Sequence, residues 1–272
     1  MTNLISQIFG LIANIKFPKK LQTFINKRYI KAFKIDMSEF DDASSYKSLN
    51  ALFTRTFVKP RDFSSQKNTF ISPSDGLIFE VGKSDSLKAL CVKNHNYSID
   101  RLLGMSASKD ELKGEIIYAN IYLSPSDYHH YHAPCDLEIL SAFYVPAKLY
   151  SVAKKWLIKV PNLYCKNERV VLKTRLENGK ILWLVFVGAL NVGKMKFDFD
   201  NRIQTNANAS YTQFYEYENL YIKKGEHIGN FELGSTIVLL AQNGALEFEL
   251  TSEQKVKFGD IIGKINLENE DL

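Results

Sequence analysis

The first 34 residues contain no aspartate or glutamate, while lysine or arginine fills positions 16, 19, 20, 27, 28, 31 and 34. This one-signed start accounts for much of the net charge of +5, and the rest of the 272-residue chain is close to neutral. That excludes a nucleic-acid-binding protein with basic character throughout. Cysteine is scarce: Cys91, Cys135 and Cys165 are far apart, odd in number and form no CxxC pair. A disulfide framework and a zinc knuckle are therefore excluded, and a reduced, cytoplasmic setting is expected. No apolar run approaches the ~20 residues of a transmembrane helix. A secretory signal, with its charged start, apolar run and small-residue cleavage site, is also missing. No low-complexity linker or sequence repeat divides the chain, and 45% hydrophobic residues supply ample material for a core.

Residues 3–15, NLISQIFGLIANI, place Leu4, Ile5, Ile8, Phe9, Leu11, Ile12 and Ile15 at helical spacing, and Pro18 interrupts the pattern. A second amphipathic stretch sets Leu21, Phe24, Ile25, Tyr29, Ile30 and Phe33 between the basic residues. Such faces suit an interfacial helix on anionic lipid, where each basic residue adds roughly 1 kcal/mol. A helical hairpin packed on its own domain fits the same pattern. From Phe70 onward short β-rich runs follow, among them LIFEV (77–81), EIIYANIYL (115–123), ILWLVFVGAL (181–190) and STIVLL (235–240). Turn signals separate them, and no βαβ alternation is seen. The expected class is α+β: amphipathic helices over residues 1–45, then a mainly antiparallel β-rich core over 46–272. KKGEHIGNFELGS (223–235) and VKFGDIIGKI (256–265) share glycine turns found in compact β modules of the biotinyl and lipoyl type, without an evident modification lysine.

Three polar constellations stand out. In SPSDG (72–76), Asp75 precedes Gly76 in a common turn pattern. LSPSDYHHYHAPCD (123–136) packs three of the five histidines into four positions. Locally extended, this segment would put His130 and His132 on one face; helical, it would pair His129 with His132. A metal would need a third ligand from Asp127, Cys135 or a distant aspartate. In Leu233-Gly234-Ser235-Thr236 the serine lies outside any GxSxG elbow. A hydroxyl needs a base to become a nucleophile, usually a histidine oriented by aspartate. Directly after glycine, its natural target is the preceding carbonyl, which no side chain crowds.

Taken together, these motifs resemble the pyruvoyl-dependent phosphatidylserine decarboxylases of the prokaryotic type. LGST resembles the self-cleavage site, SPSDG the aspartate motif and DYHHYH the Asp-Tyr-His-x-x-His segment. FTRTFVKPRDF (53–63), VGALNVG (187–193) and KKGEHIGNFELGST (223–236) match in the family's order. RDF after Pro60 departs from an expected basic-Pro pair. The resemblance implies that His132, held by Asp75, activates Ser235 for attack on the Gly234 carbonyl. Acyl shift, β-elimination and hydrolysis would then leave chains 1–234 and 235–272, the latter beginning with a pyruvoyl group derived from Ser235. That group, with no pyridoxal phosphate and no metal, would form a Schiff base with phosphatidylserine and yield phosphatidylethanolamine and CO2. His129 is the candidate proton donor to the decarboxylated carbon, with His132 as the alternative. The implied partners are phosphatidylserine, an anionic membrane surface, the two chains of one precursor and an optional second copy in a homodimer; nucleic acid is not among them. The implied location is peripheral, on the cytoplasmic face of the cell membrane. Two rival readings use the same residues: a zinc hydrolase ligated by Asp75, His129 and His132, and a lipid-surface β module whose Gly-Ser step is only a turn.

Overall fold

The computed structural model describes residues 10–84, 90–92, 95–190, 194–205, 211–232 and 235–267. Runs without polar alternation need cover on both faces, and the sheet supplies it. Ser235–Gln242 is an interior strand of an eight-stranded antiparallel sheet, between Ile181–Gly188 and Ile116–Leu123. Ile237 and Leu239 join one core cluster with Phe186 and Ile121, while Val238 and Leu240 join a second with Trp183 and Val185. Arg169–Leu176, Leu137–Val145 and Gln213–Ile222 extend the sheet on one side, and Gly76–Ser84 and Lys255–Val256 complete it on the other. The expected α+β class with an antiparallel core is the observed one.

Strand register brings two of the polar constellations to one end of this sheet. Ser235 lies opposite Leu123 and Gly188, and Leu77 lies opposite Tyr122. Asp75, just before the strand Gly76–Ser84, and Ser235 therefore leave the same end two strands apart, about 10 Å at the usual strand spacing. Gly76 is required there, because a Cβ would come within 2.6 Å of the Tyr122 carbonyl oxygen.

The histidine segment is extended, as one of the two readings required. His130–His132 pairs with His227–Phe231, which pairs in turn with Met195–Phe197. Tyr131 turns into the main core and packs on Phe186 at 4.3 Å between ring centroids. Side chains alternate along a strand, so His130 and His132 take the opposite face.

Residues 235–267 are threaded through the rest of the fold. They give two strands to the main sheet and two more, Leu246–Phe248 and Ile261–Ile265, to a small sheet shared with Thr69–Ile71.

The chain is helical at 10–14 and again over Lys19–Phe33; residues 3–9 of the expected first helix lie outside the described residues. The second helix packs through its polar side. Gln22 and Asn26 are its buried residues. Gln22 donates to the Asn26 side-chain oxygen at 2.8 Å, and the Asn26 amide donates to the carbonyls of Ala43 and Tyr46, both at 2.9 Å. On this helix Phe24 is 61% exposed, with Leu21 and Phe33 also outward, while Ile25, Tyr29 and Ile30 are half-buried; before it, Leu11, Ile12 and Ile15 are exposed too. Among the described residues no helix is long and apolar enough to cross a membrane.

Candidate active site

Asp75 ends the turn that enters the strand Gly76–Ser84, and its carboxylate is fully engaged. Arg61 Nη1 donates to Oδ1 at 2.5 Å and Nη2 to Oδ2 at 3.1 Å, while the Phe258 amide donates to Oδ1 at 2.8 Å. Arg61 also forks onto Glu39, at 2.8 Å from both Nε and Nη2, and lies over the Phe57 ring. Burial opposes the charge on Arg61, but the two carboxylates outweigh it and hold the guanidinium above its ordinary range. Arg61 lies in the segment that departed from the expected basic-Pro pattern, and its role there is to anchor Asp75.

His132 is gripped at both ring nitrogens. Its Nδ1 lies 2.9 Å from the Gly225 carbonyl and its Nε2 3.0 Å from the Tyr128 hydroxyl. A carbonyl only accepts, so Nδ1 carries the proton and Nε2 presents its lone pair to the Tyr128 hydroxyl. Burial, first of all, lowers the His132 pKa to about 3 and raises that of Tyr128, so the ring is neutral and the phenol protonated. Gly225 has φ +79°, a turn conformation that suits glycine.

Asp75 and His132 are neighbours without a direct hydrogen bond. Phe258 links them: its amide binds Asp75, and its ring stacks on His132 at 3.8 Å. The His132 amide also donates to the Pro73 carbonyl at 2.9 Å. The expected hold of Asp75 on His132 involves no hydrogen bond between the two side chains here: the carboxylate bonds Arg61 and the Phe258 amide, and the ring bonds Gly225 and Tyr128.

His129 faces elsewhere. Its Nδ1 lies 2.8 Å from the Asp127 carbonyl oxygen and its ring 3.9 Å from that of Phe53. Its Nε2 is buried without a hydrogen-bond partner. Burial and then the Arg55 charge lower its pKa to about 3. His129 thus presents a lone pair at Nε2 rather than a proton.

A further chain of contacts runs from Asp198 inward. Asp198 Oδ2 lies 2.6 Å from His227 Nδ1, His227 Nε2 2.7 Å from His130 Nδ1, and His130 Nε2 3.1 Å from the Thr54 carbonyl. Sequence reasoning did not single out His227, although it sits in the matching segment KKGEHIGN. Among the described residues no three His, Cys, Asp or Glu side chains converge as a metal site would require.

Ser235 begins its strand with 0% exposure, and its Oγ has no hydrogen-bond partner. It bonds neither His132 nor Asp75. Gly234, the other half of the expected cleavage site, lies outside the described residues, as do Leu233 and residues 191–193 of the VGALNVG motif.

With this geometry in view, comparisons with known proteins converge. The model of the family described as "Phosphatidylserine decarboxylase" matches residues 49–264. A phosphatidylserine decarboxylase proenzyme of Campylobacter jejuni is 56% identical over 261 residues, covering 94% of this chain and 97% of that protein. The proenzyme of Helicobacter pylori is 49% identical over 267 residues, covering 98% of both chains. That of Coxiella burnetii is 32% identical over 270 residues, covering 97% and 94%. The chain spans almost the full length of these relatives, and it belongs to the phosphatidylserine decarboxylase family.

Proposed function

We propose that this chain is a self-processing proenzyme that decarboxylates phosphatidylserine to phosphatidylethanolamine by way of a pyruvoyl group derived from Ser235. One observation carries the reading: a fully buried serine hydroxyl with no hydrogen-bond partner heads an interior strand of the main sheet. A buried hydroxyl without a partner is costly, and it is free to attack its own backbone. Replacing that Oγ by a ketone oxygen breaks no hydrogen bond, so position 235 fits the group.

Processing begins when the Ser235 hydroxyl gives up its proton and Oγ bonds to the Gly234 carbonyl carbon. The Gly234–Ser235 amide then breaks, converting the peptide link to an ester. β-Elimination releases a carboxylate on Gly234 and leaves dehydroalanine at position 235, which water hydrolyses to ammonia and the pyruvoyl terminus. His132 supplies the base: its Nδ1–H is fixed by the Gly225 carbonyl, so Nε2 is the accepting atom once Tyr128 yields it. Asp75, pinned by Arg61, shapes the wall behind it through Phe258.

Once formed, the pyruvoyl group supplies an electrophile for the substrate amine and an electron sink for the charge left by CO2 loss. His129 moves protons at Nε2, the ring nitrogen left open by the Asp127 carbonyl. Being neutral, it donates only a proton it has first accepted. The outward apolar residues between 11 and 33, set among basic residues, rest on anionic lipid at the cytoplasmic face of the membrane, as a peripheral contact.

Denaturing mass spectrometry of the purified protein tests the reading. Two chains, 1–234 and 235–272, are expected, with a pyruvoyl terminus on the smaller and no cleavage in Ser235→Ala. A single intact chain from active protein would refute it.

A further inference from the structure

Three arginines are buried or nearly so, and they are satisfied very differently. Arg169 donates from Nε to the Leu102 carbonyl, from Nη1 to those of Cys165 and Asn167, and from Nη2 to that of Arg101. Arg61 is saturated by two carboxylates. Arg55 is the exception. It is 2% exposed, yet only Nη2 is used, on the Ser126 carbonyl at 2.6 Å and the Asp127 carbonyl at 3.1 Å. Its Nε and Nη1 are buried without partners, and among the described residues it forms no ion pair. Its guanidinium lies 4.5 Å from the Phe40 ring centroid. The Tyr46 hydroxyl is nearby and buried, facing the backbone of Asp41.

A guanidinium buried with Nε and Nη1 idle, near the Asp75 and Asp127 carboxylates but paired with neither, is an arrangement an incoming anion completes. Its planar fork suits a carboxylate or a phosphate oxygen pair. The position is apt. Arg55 follows the helix Leu49–Phe53, whose Phe53 ring packs on His129, and its charge is felt by His129, by Tyr46 and by Tyr29 of the outward-facing helix. It thus stands between the lipid-facing helices and the histidine segment.

We propose that Arg55, with the Tyr46 hydroxyl beside it, binds the phosphodiester of the phospholipid headgroup; this rests on the decarboxylase reading above. The phosphodiester is favoured over the serine carboxylate on chemical grounds. The carboxylate surrenders its charge as CO2 leaves, so a guanidinium bound to it would stabilise the ground state more than the transition state. The phosphodiester keeps its charge from substrate to product, and a contact to it holds the headgroup without opposing the reaction.

The test uses soluble probes on the purified full-length protein: glycerophosphoethanolamine, with a phosphodiester and no carboxylate, and free serine, with the reverse. Calorimetric titration of the wild type, Arg55→Lys, Arg55→Gln and Tyr46→Phe reads binding without reference to turnover. Glycerophosphoethanolamine affinity is expected to fall roughly 10–100-fold in the Arg55 variants and a few-fold in Tyr46→Phe, with serine affinity unchanged. KM for phosphatidylserine should rise in parallel; kcat is compared in Arg55→Lys, which keeps the charge that His129 feels. Unchanged glycerophosphoethanolamine affinity in folded Arg55 variants would overturn the proposal, and so would a loss confined to serine. Should the variants not fold, the wild-type crystal soaked in glycerophosphoethanolamine far above its dissociation constant decides. The phosphodiester against Arg55 supports the proposal; one bound elsewhere, or none, overturns it. Chain cleavage, read separately by mass spectrometry, tests the decarboxylase reading alone, because the probes report binding whether or not the chain is cut.

Discussion

Tyr128 and His132 meet hydroxyl to ring nitrogen, 3.0 Å from Oη to Nε2, with their rings stacked at 5.8 Å between centroids. Tyr128→Phe removes the donor and leaves Nε2 buried without a partner. In an uncut Ser235→Ala background this substitution is expected to lower stability by about 1–3 kcal/mol. The urea midpoint reads the change; an unaltered midpoint would mean that Nε2 finds another donor.

Arg61 and Asp75 are both largely shielded, with side-chain exposures of 11% and 13%. Arg61→Gln leaves the carboxylates of Asp75 and Glu39 without their cation, at an expected cost of about 3 kcal/mol. The wall behind His132 loosens with it, so the 235–272 chain should accumulate more slowly. Arg61→Lys should restore little, because an ammonium cannot fork onto two carboxylates. Processing half-times followed by denaturing gel check both claims, and wild-type rates in Arg61→Gln would contradict them.

Acid should weaken the fold through its histidines. Burial lowers His129 and His132 to about 3 and His130 to about 4, against about 6.5 for an unfolded chain. Between those values the unfolded state binds more protons, so the stabilisation is complete above pH ~6.5 and is lost as pH falls toward the folded pKa values. Each such histidine steepens the loss by about 1.4 kcal/mol per pH unit in that window. Unfolding titrations of the uncut Ser235→Ala protein at pH 7, 6 and 5 should show the decline. A flat profile would place protonated rings in the native state.

The lipid contact is testable without disturbing the fold. Leu21 is 46% exposed and Phe24 61%, so Leu21→Glu with Phe24→Glu should change stability by no more than about 0.5 kcal/mol each. Flotation with anionic vesicles should nevertheless be lost. Retained flotation would remove this face from the contact. Deleting the helix is a poorer test, because Asn26 ties it to the carbonyls of Ala43 and Tyr46.

Processing should not release the smaller chain. Ser235–Gln242 has neighbours on both sides, and residues 246–265 pair with strands Thr69–Ile71 and Gly76–Ser84. Native mass spectrometry of cut protein should find both chains in one particle, and separation without denaturant would contradict the topology.

Much of this was legible before any coordinates. STIVLL and ILWLVFVG lack polar alternation, which demands a strand covered on both faces, and Ser235–Gln242 and Ile181–Gly188 are such strands. The constellations around Asp75, His129 to His132 and Ser235 are legible by residue type, and register brings Asp75 and Ser235 to one end of the main sheet. Their hydrogen bonds were not legible. Asp75 binds Arg61, 14 residues away, and the Phe258 amide, 183 away, while His130 meets His227 across 97 residues. A carboxylate and an imidazole in one sequence suggest a pair; only packing shows that each already has other partners.

The amphipathic start shows the division most clearly. Residue periodicity establishes that two faces exist, because helical spacing alone sorts Leu21 and Phe24 from Gln22 and Asn26. Which face turns inward depends on what it meets. Here that is the pair of carbonyls at Ala43 and Tyr46, which the Asn26 amide satisfies, so the polar side is buried and Leu21 and Phe24 are left outward. Spacing along a helix is a local property, but hydrogen-bond satisfaction at its buried face is settled between distant segments.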